Sequence, residues 1–460
     1  MSDQRKARWT TRFGFYLLAI GSAFGLGNIW RFPYIVAENG GGAFLFVYLA
    51  MVFLVGMPFL IGELFLGKVT GSAVIPAMRR LGEGVGDGVS SARSSRFHIL
   101  MGSGYLAIAL CLMVLAYYSV VCGWVLHFLM RFVVAALGLS VLDPGGALHI
   151  LLNNGWLQIM LTSVHLLLIM VVITRGVEEG IERWVGKVIP VFLILVVALA
   201  FRSLSMDSST DALRFFLYPD FSRLTPAALG QAIGQVCFTL SVGFGTMVTF
   251  GSYTNENVSV PATGFRVAVF DSLVSLVAGM MIFPLVFSRA NADVGPTLLF
   301  ETVPFMFARL PGGVWFGVGF FLCLYLAALG ASLGLLETAV ANLRETRKKM
   351  SRPRATIIAV VMCLYIAVIP ALSSSVLKGN TIMGMTVMEA WDGFLINWLL
   401  PITAVLISQI VVRRVDREVQ QAEFDKIPSA SMGRLYAHWR FAIRYLAPIL
   451  CVLGLALQLV

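Results

Sequence analysis

Residues 21–28 of this chain, Gly-Ser-Ala-Phe-Gly-Leu-Gly-Asn, interrupt its first long apolar stretch about halfway along. In hydrocarbon an unpaired backbone N–H or C=O costs several kcal/mol, so a broken helix survives at that depth only around a cavity or a ligand. The free N–H groups at such a gap suit an anionic group, and its free carbonyls suit a cation. The chemistry predicted is reversible binding of a charged ligand together with an ion. A second interruption, Ser241-Val242-Gly243-Phe244-Gly245-Thr246, falls at the same depth of an equally long apolar stretch. Asp271 lies inside another, and an intramembrane acid is functional by default. Bond-making chemistry has no such support. The five histidines are scattered, with no H-E-x-x-H, no Ser/His/Asp grouping and no phosphate-binding glycine loop. The six cysteines fall singly in apolar stretches and read as packing residues, neither a disulfide framework nor a metal site. No catalytic residue is assigned, and the chain is not read as an enzyme.

The elements that must position these residues follow from composition. The chain has 460 residues, 58% of them hydrophobic and 13% charged, with a mean hydropathy of +0.86. A soluble domain would carry roughly twice that charge fraction. Apolar runs recur throughout, which predicts an all-α polytopic membrane protein. Eleven spans are read near residues 13–37, 42–67, 98–126, 156–174, 179–203, 227–254, 263–288, 313–343, 355–372, 388–412 and 440–459. Lys and Arg gather in alternate connections, as in Arg344, Arg347, Lys348, Lys349, Arg352 and Arg354, whereas 139–155 has neither. By the positive-inside rule the N-terminus is cytoplasmic and the C-terminus outside, in a plasma (inner) membrane. The net charge of +10 is thereby a topology signal, not a nucleic-acid one. The first apolar run is too long for a cleaved signal peptide and leads into Arg31 and Pro33.

Two glycine-interrupted spans five helices apart mark two five-helix halves with a site at their interface, inverted because the offset is odd. The repeats are read as 13–203 and 227–412, with 440–459 an additional helix, all within one transporter domain.

The run GSAFGLGNIWRFPYIVAENGGGAFLFVY (21–48), followed by GMPFLIGELFLGK, closely resembles the neurotransmitter:sodium symporter family. AYYSVVCGW (116–124), GIERWVGKVIP (180–190), GQVCFTLSVGFG (234–245), GPTLLFETVPFMFARLPGG (295–313) and AALGASLGLLE (327–337) extend the match over almost the whole chain. The resemblance implies the inverted-repeat leucine-transporter fold, with spans 1 and 6 broken, and cation-driven uptake of small amine-containing substrates. Gly25 stands where monoamine transporters of the family carry an aspartate. With Gly25 and Gly27 bare, backbone N–H groups can face a carboxylate brought by the ligand, and Tyr118 would donate its hydroxyl to the same group. The substrate implied is an α-amino acid. Its site, by resemblance, comprises Ser22, Ala23, Gly25, Leu26, Gly27, Val114, Tyr118, Phe238, Thr239, Ser241, Phe244, Ala331 and Leu335. None is charged, so neutral, mainly hydrophobic side chains are expected, a charged one being left unpaired at a cost of several kcal/mol.

The same resemblance implies a first Na⁺ site from the Ala23 carbonyl, Asn28, Thr239 and Asp271, the last standing where many members have asparagine. Tyr48, Gln235, Thr239 and Ser275 match the chloride surroundings of animal members. A carboxylate at Asp271 would replace that anion, so transport is expected to be independent of chloride, with H⁺ movement left open. The second Na⁺ site retains the carbonyls of Gly21, Phe24 and Ala327, but Gly330 and Ala331 replace its two hydroxyl ligands. Lys187 is a possible substitute: nine residues from Glu178 rise about 14 Å and its side chain reaches about 6 Å more, which matches the roughly 21 Å between Glu345 and Gly330 or Ala331.

Gates follow by resemblance too. Arg31 would pair with Asp392 on the outer side, and Arg5 or Lys6 with Glu345 on the inner, beside Tyr253. Gly180 and Pro190 resemble the family's motif for local unwinding of the fifth span. Glu63 and Glu337 read as acceptors for broken backbone. The sequence thus predicts Na⁺-coupled symport of neutral amino acids. Alternatives are a proton-coupled carrier using Lys187 and an amino-acid sensor that does not transport. The carrier is a monomer or homodimer in the bilayer.

Overall fold

The computed structural model describes residues 21, 25–84, 94–255, 258–288, 298–347, 349–426 and 432–459. Of the sequence-predicted site, Arg5, Lys6, Ser22, Ala23 and Phe24 lie outside the described residues.

Nine helices among the described residues are long and apolar enough to cross a membrane. They are α1 (Gly42–Thr70), α2 (Phe97–Ala136), α3 (Gly155–Thr174), α4 (Glu179–Leu204), α7 (Val260–Phe287), α8 (Gly313–Thr346), α9 (Arg352–Leu372), α10 (Val387–Arg414) and α11 (Arg434–Leu457). Each corresponds to one of the eleven predicted spans. The other two are those with interruptions. The sixth span is two short helices, α5 (Ala228–Thr239) and α6 (Thr246–Ser252). The first is described from Gly25 onward as a bend, a π-helical turn at Gly27–Arg31 and an α-helix at Phe32–Glu38.

Helix is the form these sequences must take, because each backbone group finds its partner within the segment. Ends are marked by local chemistry. Asn154 caps α3 by accepting from Leu157 N at 2.9 Å, and Ser259 caps α7 ahead of Pro261. α1 stops where Gly71 turns to φ +55°. Shorter helices the span reading did not include lie in the connections, at Val74–Glu83, Pro144–Asn153, Ser209–Leu217, Leu298–Arg309 and Arg417–Phe424. α2 runs about 60 Å at 1.5 Å per residue, well past the predicted 98–126.

Helices α2, α3, α8 and α9 pack on one another as one group. A second group joins α1, α6, α7 and the Gly27–Glu38 segment, and α4 bridges α7 and α8. Two thirds of α7 and α8 (67% each) is buried, against 33% of α4 and 22% of α11. The last two present their apolar side chains outward, as lipid-facing helices do. α4 is helical through Pro190, with a π-turn at Val177–Glu182; the unwinding expected between Gly180 and Pro190 is absent from this conformation. All six cysteines are free and buried.

Further π-turns occur at Val52–Gly56, Gly393–Leu399 and Ala442–Leu446. The Phe32 N–H closes on Gly27 O, and the Leu400 N–H on Leu395 O, five residues back in each case.

Candidate substrate and ion site

The two interruptions face each other. Between α5 and α6 the chain takes positive φ at Ser241 (+53°), Gly243 (+91°) and Gly245 (+74°). Left-handed backbone of this kind favours glycine, and a serine held in it is unusual. The freed Gly243 N–H donates to Glu63 Oε1 at 2.6 Å, which satisfies one of the groups the gap exposes. At the first interruption Asn28 N donates to Gly25 O at 3.2 Å. Leu26 N donates to the Tyr118 hydroxyl at 2.9 Å, and Gly25 N to Asn28 Oδ1 at 3.3 Å.

A narrow cavity lies between them, lined by Gly25, Gly27, Asn28, Tyr118, Phe238, Thr239, Ser241, Phe244, Ala331 and Leu335. None of these side chains is charged. A Cβ on Gly25 would stand 2.9 Å from Tyr118 Oη and 3.0 Å from Ala331 Cβ, so only a bare backbone fits there.

Next to the cavity, Asp271 is fully buried. Asn28 Nδ2 donates to its Oδ1 at 2.8 Å and to Ser275 Oγ at 2.9 Å. The Tyr48 hydroxyl donates to Asp271 Oδ2 at 3.1 Å and lies 3.4 Å from Thr239 Oγ1. Carboxylate and hydroxyl oxygens thus converge beside the Asn28 amide, and hard oxygens of this kind suit an alkali cation.

Above the cavity Arg31 and Asp392 form a closed pair, with Nε–Oδ2 and Nη2–Oδ2 both 3.1 Å. Arg31 Nη1 also donates to Gln235 Oε1 at 2.7 Å and Nη2 to Asn397 Oδ1 at 3.0 Å. Its guanidinium sits 5.8 Å from the Phe238 ring centroid.

Residues 6–141 and 146–460 match the Sodium:neurotransmitter symporter family. The chain belongs to that family. An uncharacterized sodium-dependent transporter of Bacillus subtilis, YhdH, is 32% identical over 460 residues, 98% of each chain. The sodium-dependent dopamine transporter of Bos taurus is 27% identical over 408 residues, covering 76% of this chain and 56% of that one. The crystal structure of MhsT in complex with L-phenylalanine matches with a TM-score of 0.88 at 31% identity, covering 98% of this chain and 99% of that one. This protein is accordingly a multi-pass, all-helical, sodium-coupled membrane transporter of a small molecule, and not an enzyme.

The symporter's predicted residues are not all gathered at one place. Ten of the residues singled out from the sequence line the central cavity: nine from the substrate set, with Asn28 from the ion set. Leu26 contributes its N–H to Tyr118, and Val114 is buried on α2 without lining the cavity. Gly21, Ala327 and Gly330 line a different cavity, between α3, α4 and α8.

The expectation for Lys187 is corrected. It is exposed on α4, whereas Val185, Val188, Ile189 and Phe192 form the face toward Gly21 and Ala327. A side chain one residue off that face is turned about 100° away. Ser332, the nearest hydroxyl to Gly330 and Ala331, is likewise engaged elsewhere. It lies 2.9 Å from His165 Nε2 and donates to Ala328 O at 2.8 Å.

On the inner side Glu345 Oε2 accepts from Ala73 N at 3.0 Å, and the Tyr253 hydroxyl donates to Glu337 Oε1 at 2.9 Å. Glu337 is also ion-paired with Arg352. Its partners are therefore side chains, not the broken backbone expected for it; Glu63 alone answers that expectation. Of the four residues matched to chloride surroundings, Tyr48, Thr239 and Ser275 gather at Asp271. Gln235 instead faces Arg31 and donates to Gly27 O at 2.8 Å.

Sequence reasoning missed Asn397 and Tyr34 as partners of the Arg31–Asp392 pair, Asn397 accepting from Arg31 and Tyr34 donating to Asp392 Oδ2 at 3.3 Å. It also missed His165, buried between Tyr325 and Ser332. A lone histidine in an apolar span was the available signal.

Proposed function

We propose that this symporter carries neutral, mainly hydrophobic α-amino acids with Na⁺ by alternating access, and that it does so without chloride. The observation that carries this reading is an uncharged cavity bounded by bare Gly25 and Gly27 on one side and the Phe238 and Phe244 rings on the other, directly beside the Asp271 oxygens. The substrate carboxylate meets the N–H groups of the first interruption and the Tyr118 hydroxyl. Its side chain packs on Phe238, Phe244, Ala331 and Leu335. A charged side chain would find no partner there. L-phenylalanine bound to MhsT supports the same class.

One Na⁺ is held by the Asp271 carboxylate, the Asn28 side chain, Thr239 and the Ala23 carbonyl, with Asp271 supplying the fixed negative charge an anion would otherwise bring. Gly330 and Ala331 offer no side-chain oxygen for a second ion, which favours a stoichiometry of one. Arg31 with Asp392 forms the outer gate; Glu345 and Tyr253, with Arg5 or Lys6, form the inner. We read 13–203 and 227–412 as the inverted repeats and 440–459 as an added helix, in a plasma membrane with the N-terminus cytoplasmic.

Uptake by the purified protein in proteoliposomes tests this. A panel of amino acids is offered with Na⁺, K⁺ or choline outside, and with chloride or gluconate. Na⁺-dependent accumulation of Phe- or Leu-like substrates, equal in chloride and gluconate, is expected. Preference for Lys or Glu, or a strict chloride requirement, overturns the reading. Counterflow of labelled substrate separates a carrier from a sensor, which binds and moves nothing.

A further inference from the structure

A second, larger cavity of about 300 Å³ opens between α3, α4 and α8. Its rim carries Leu168, Val171 and Trp184, exposed by 46%, 49% and 43%. Its depth is walled by Val185 and Leu333, 2% and 3% exposed. Two side chains in its lining carry a polar atom, Trp184 at the rim and Tyr325 in the wall, and the Tyr325 hydroxyl is engaged, 3.2 Å from His165 Nδ1. A single rim indole N–H does not give a water the two to four polar partners it needs, and cavities this apolar stay dry. A cation would find no side-chain ligand either. The volume falls at the lower end of the roughly 300–1,000 Å³ of small-molecule sites.

What fills such a space is set by where it opens. The rim is continuous with the outward apolar side chains of α3 and α4, including Leu167, Val191, Ile194 and Phe201. In a membrane-spanning transporter those side chains face acyl chains, and the groove is a lateral extension of that contact. We propose that it holds the hydrocarbon chain of one bilayer phospholipid, inserted between α4 and α8 from the side. Exchange of a lipid-facing surface for a protein-walled one costs no desolvation, and packing contacts drive the insertion.

The site differs from the central cavity in position and chemistry, and its existence does not depend on which substrate is carried. The two are close neighbours all the same. Gly330 and Ala327 line the groove while Ala331 and Leu335 line the central cavity, so one turn of α8 separates them. Gly21 reaches the groove as well. A chain seated there touches both α8 and the start of the first interruption, and bilayer composition is thereby coupled to the transport core.

The test uses the full chain in nanodiscs whose phosphatidylcholine carries a diazirine near the end of one acyl chain. After illumination, peptide mass spectrometry maps the adducts. Adducts on the deep wall, at Val185, Tyr325 or Leu333, are expected in addition to those on outward residues. Adducts confined to outward residues such as Ile194 and Phe201 overturn the proposal. Leu329→Trp, which fills the groove, is expected to cut deep-wall labelling at least fivefold and leave labelling of Ile194 and Phe201 unchanged. Val171→Trp at the rim serves the same purpose if the first variant does not fold. Deep-wall labelling that persists at full strength in a folded filled variant also overturns it.

Discussion

Asn28 and Asp271 are joined by a hydrogen bond of 2.8 Å, so the first interrupted segment is tied to the middle of α7. Tyr48 reaches the other carboxylate oxygen. Replacing Asp271 with Asn keeps the shape and removes the fixed charge. Na⁺-driven uptake of Asp271→Asn is expected to fall at least tenfold in gluconate and to recover in part when chloride is supplied. An uptake rate that equals wild type and ignores chloride would remove Asp271 from ion coupling.

Gly25 is packed so tightly that one added carbon meets the Tyr118 oxygen and the Ala331 methyl group at once. Gly25→Ala is expected to weaken amino-acid binding at least tenfold, measured by equilibrium binding in saturating Na⁺, and to lower stability by about 1–3 kcal/mol through overpacking. Unchanged affinity would mean that no carboxylate approaches this backbone.

Glu63 accepts the Gly243 N–H that the broken sixth span sets free. Glu63→Ala strands that donor in the protein interior, at a cost of about 1–3 kcal/mol. The unfolding midpoint in detergent should drop by several degrees, and Glu63→Gln, which keeps an acceptor, should recover most of it.

Arg31 makes four kinds of contact: the Asp392 carboxylate, Gln235, Asn397 and the Phe238 ring. A lysine offers a point charge and no planar fork. Arg31→Lys should speed dissociation of bound substrate severalfold. Arg31→Ala, which leaves Asp392 buried without its partner, should be destabilised by about 3–5 kcal/mol. Stopped-flow dissociation and thermal melts report the two effects separately.

The spans were legible because membrane helices announce themselves by unbroken apolar length, and both interruptions because glycine and serine clusters at mid-depth have few other uses. Most of the central lining could be placed on the Gly25, Tyr118 and Phe238 motifs. Lys187 was misread because depth along a helix is set by counting residues, whereas the face it occupies depends on the neighbours α4 packs against. Counting put it level with Gly330; packing turned Val188 and Ile189 there instead. His165, Asn397 and Arg352 were invisible for a related reason. Their partners lie on other helices, 167 positions away for His165 with Ser332, 366 for Asn397 with Arg31 and 15 for Arg352 with Glu337. No local pattern records such pairings.

Arg31 closes one π-turn and Asp392 immediately precedes another. Each turn carries one residue more than its helix needs. When that surplus slips along the helix by a turn, every residue it passes rotates by about 100°, with the backbone ladder re-formed behind it. Arg31 and Asp392 therefore both ride on segments that can swivel without melting. Shuttling a wrinkle along such a rod turns it, and the rod does not have to bend.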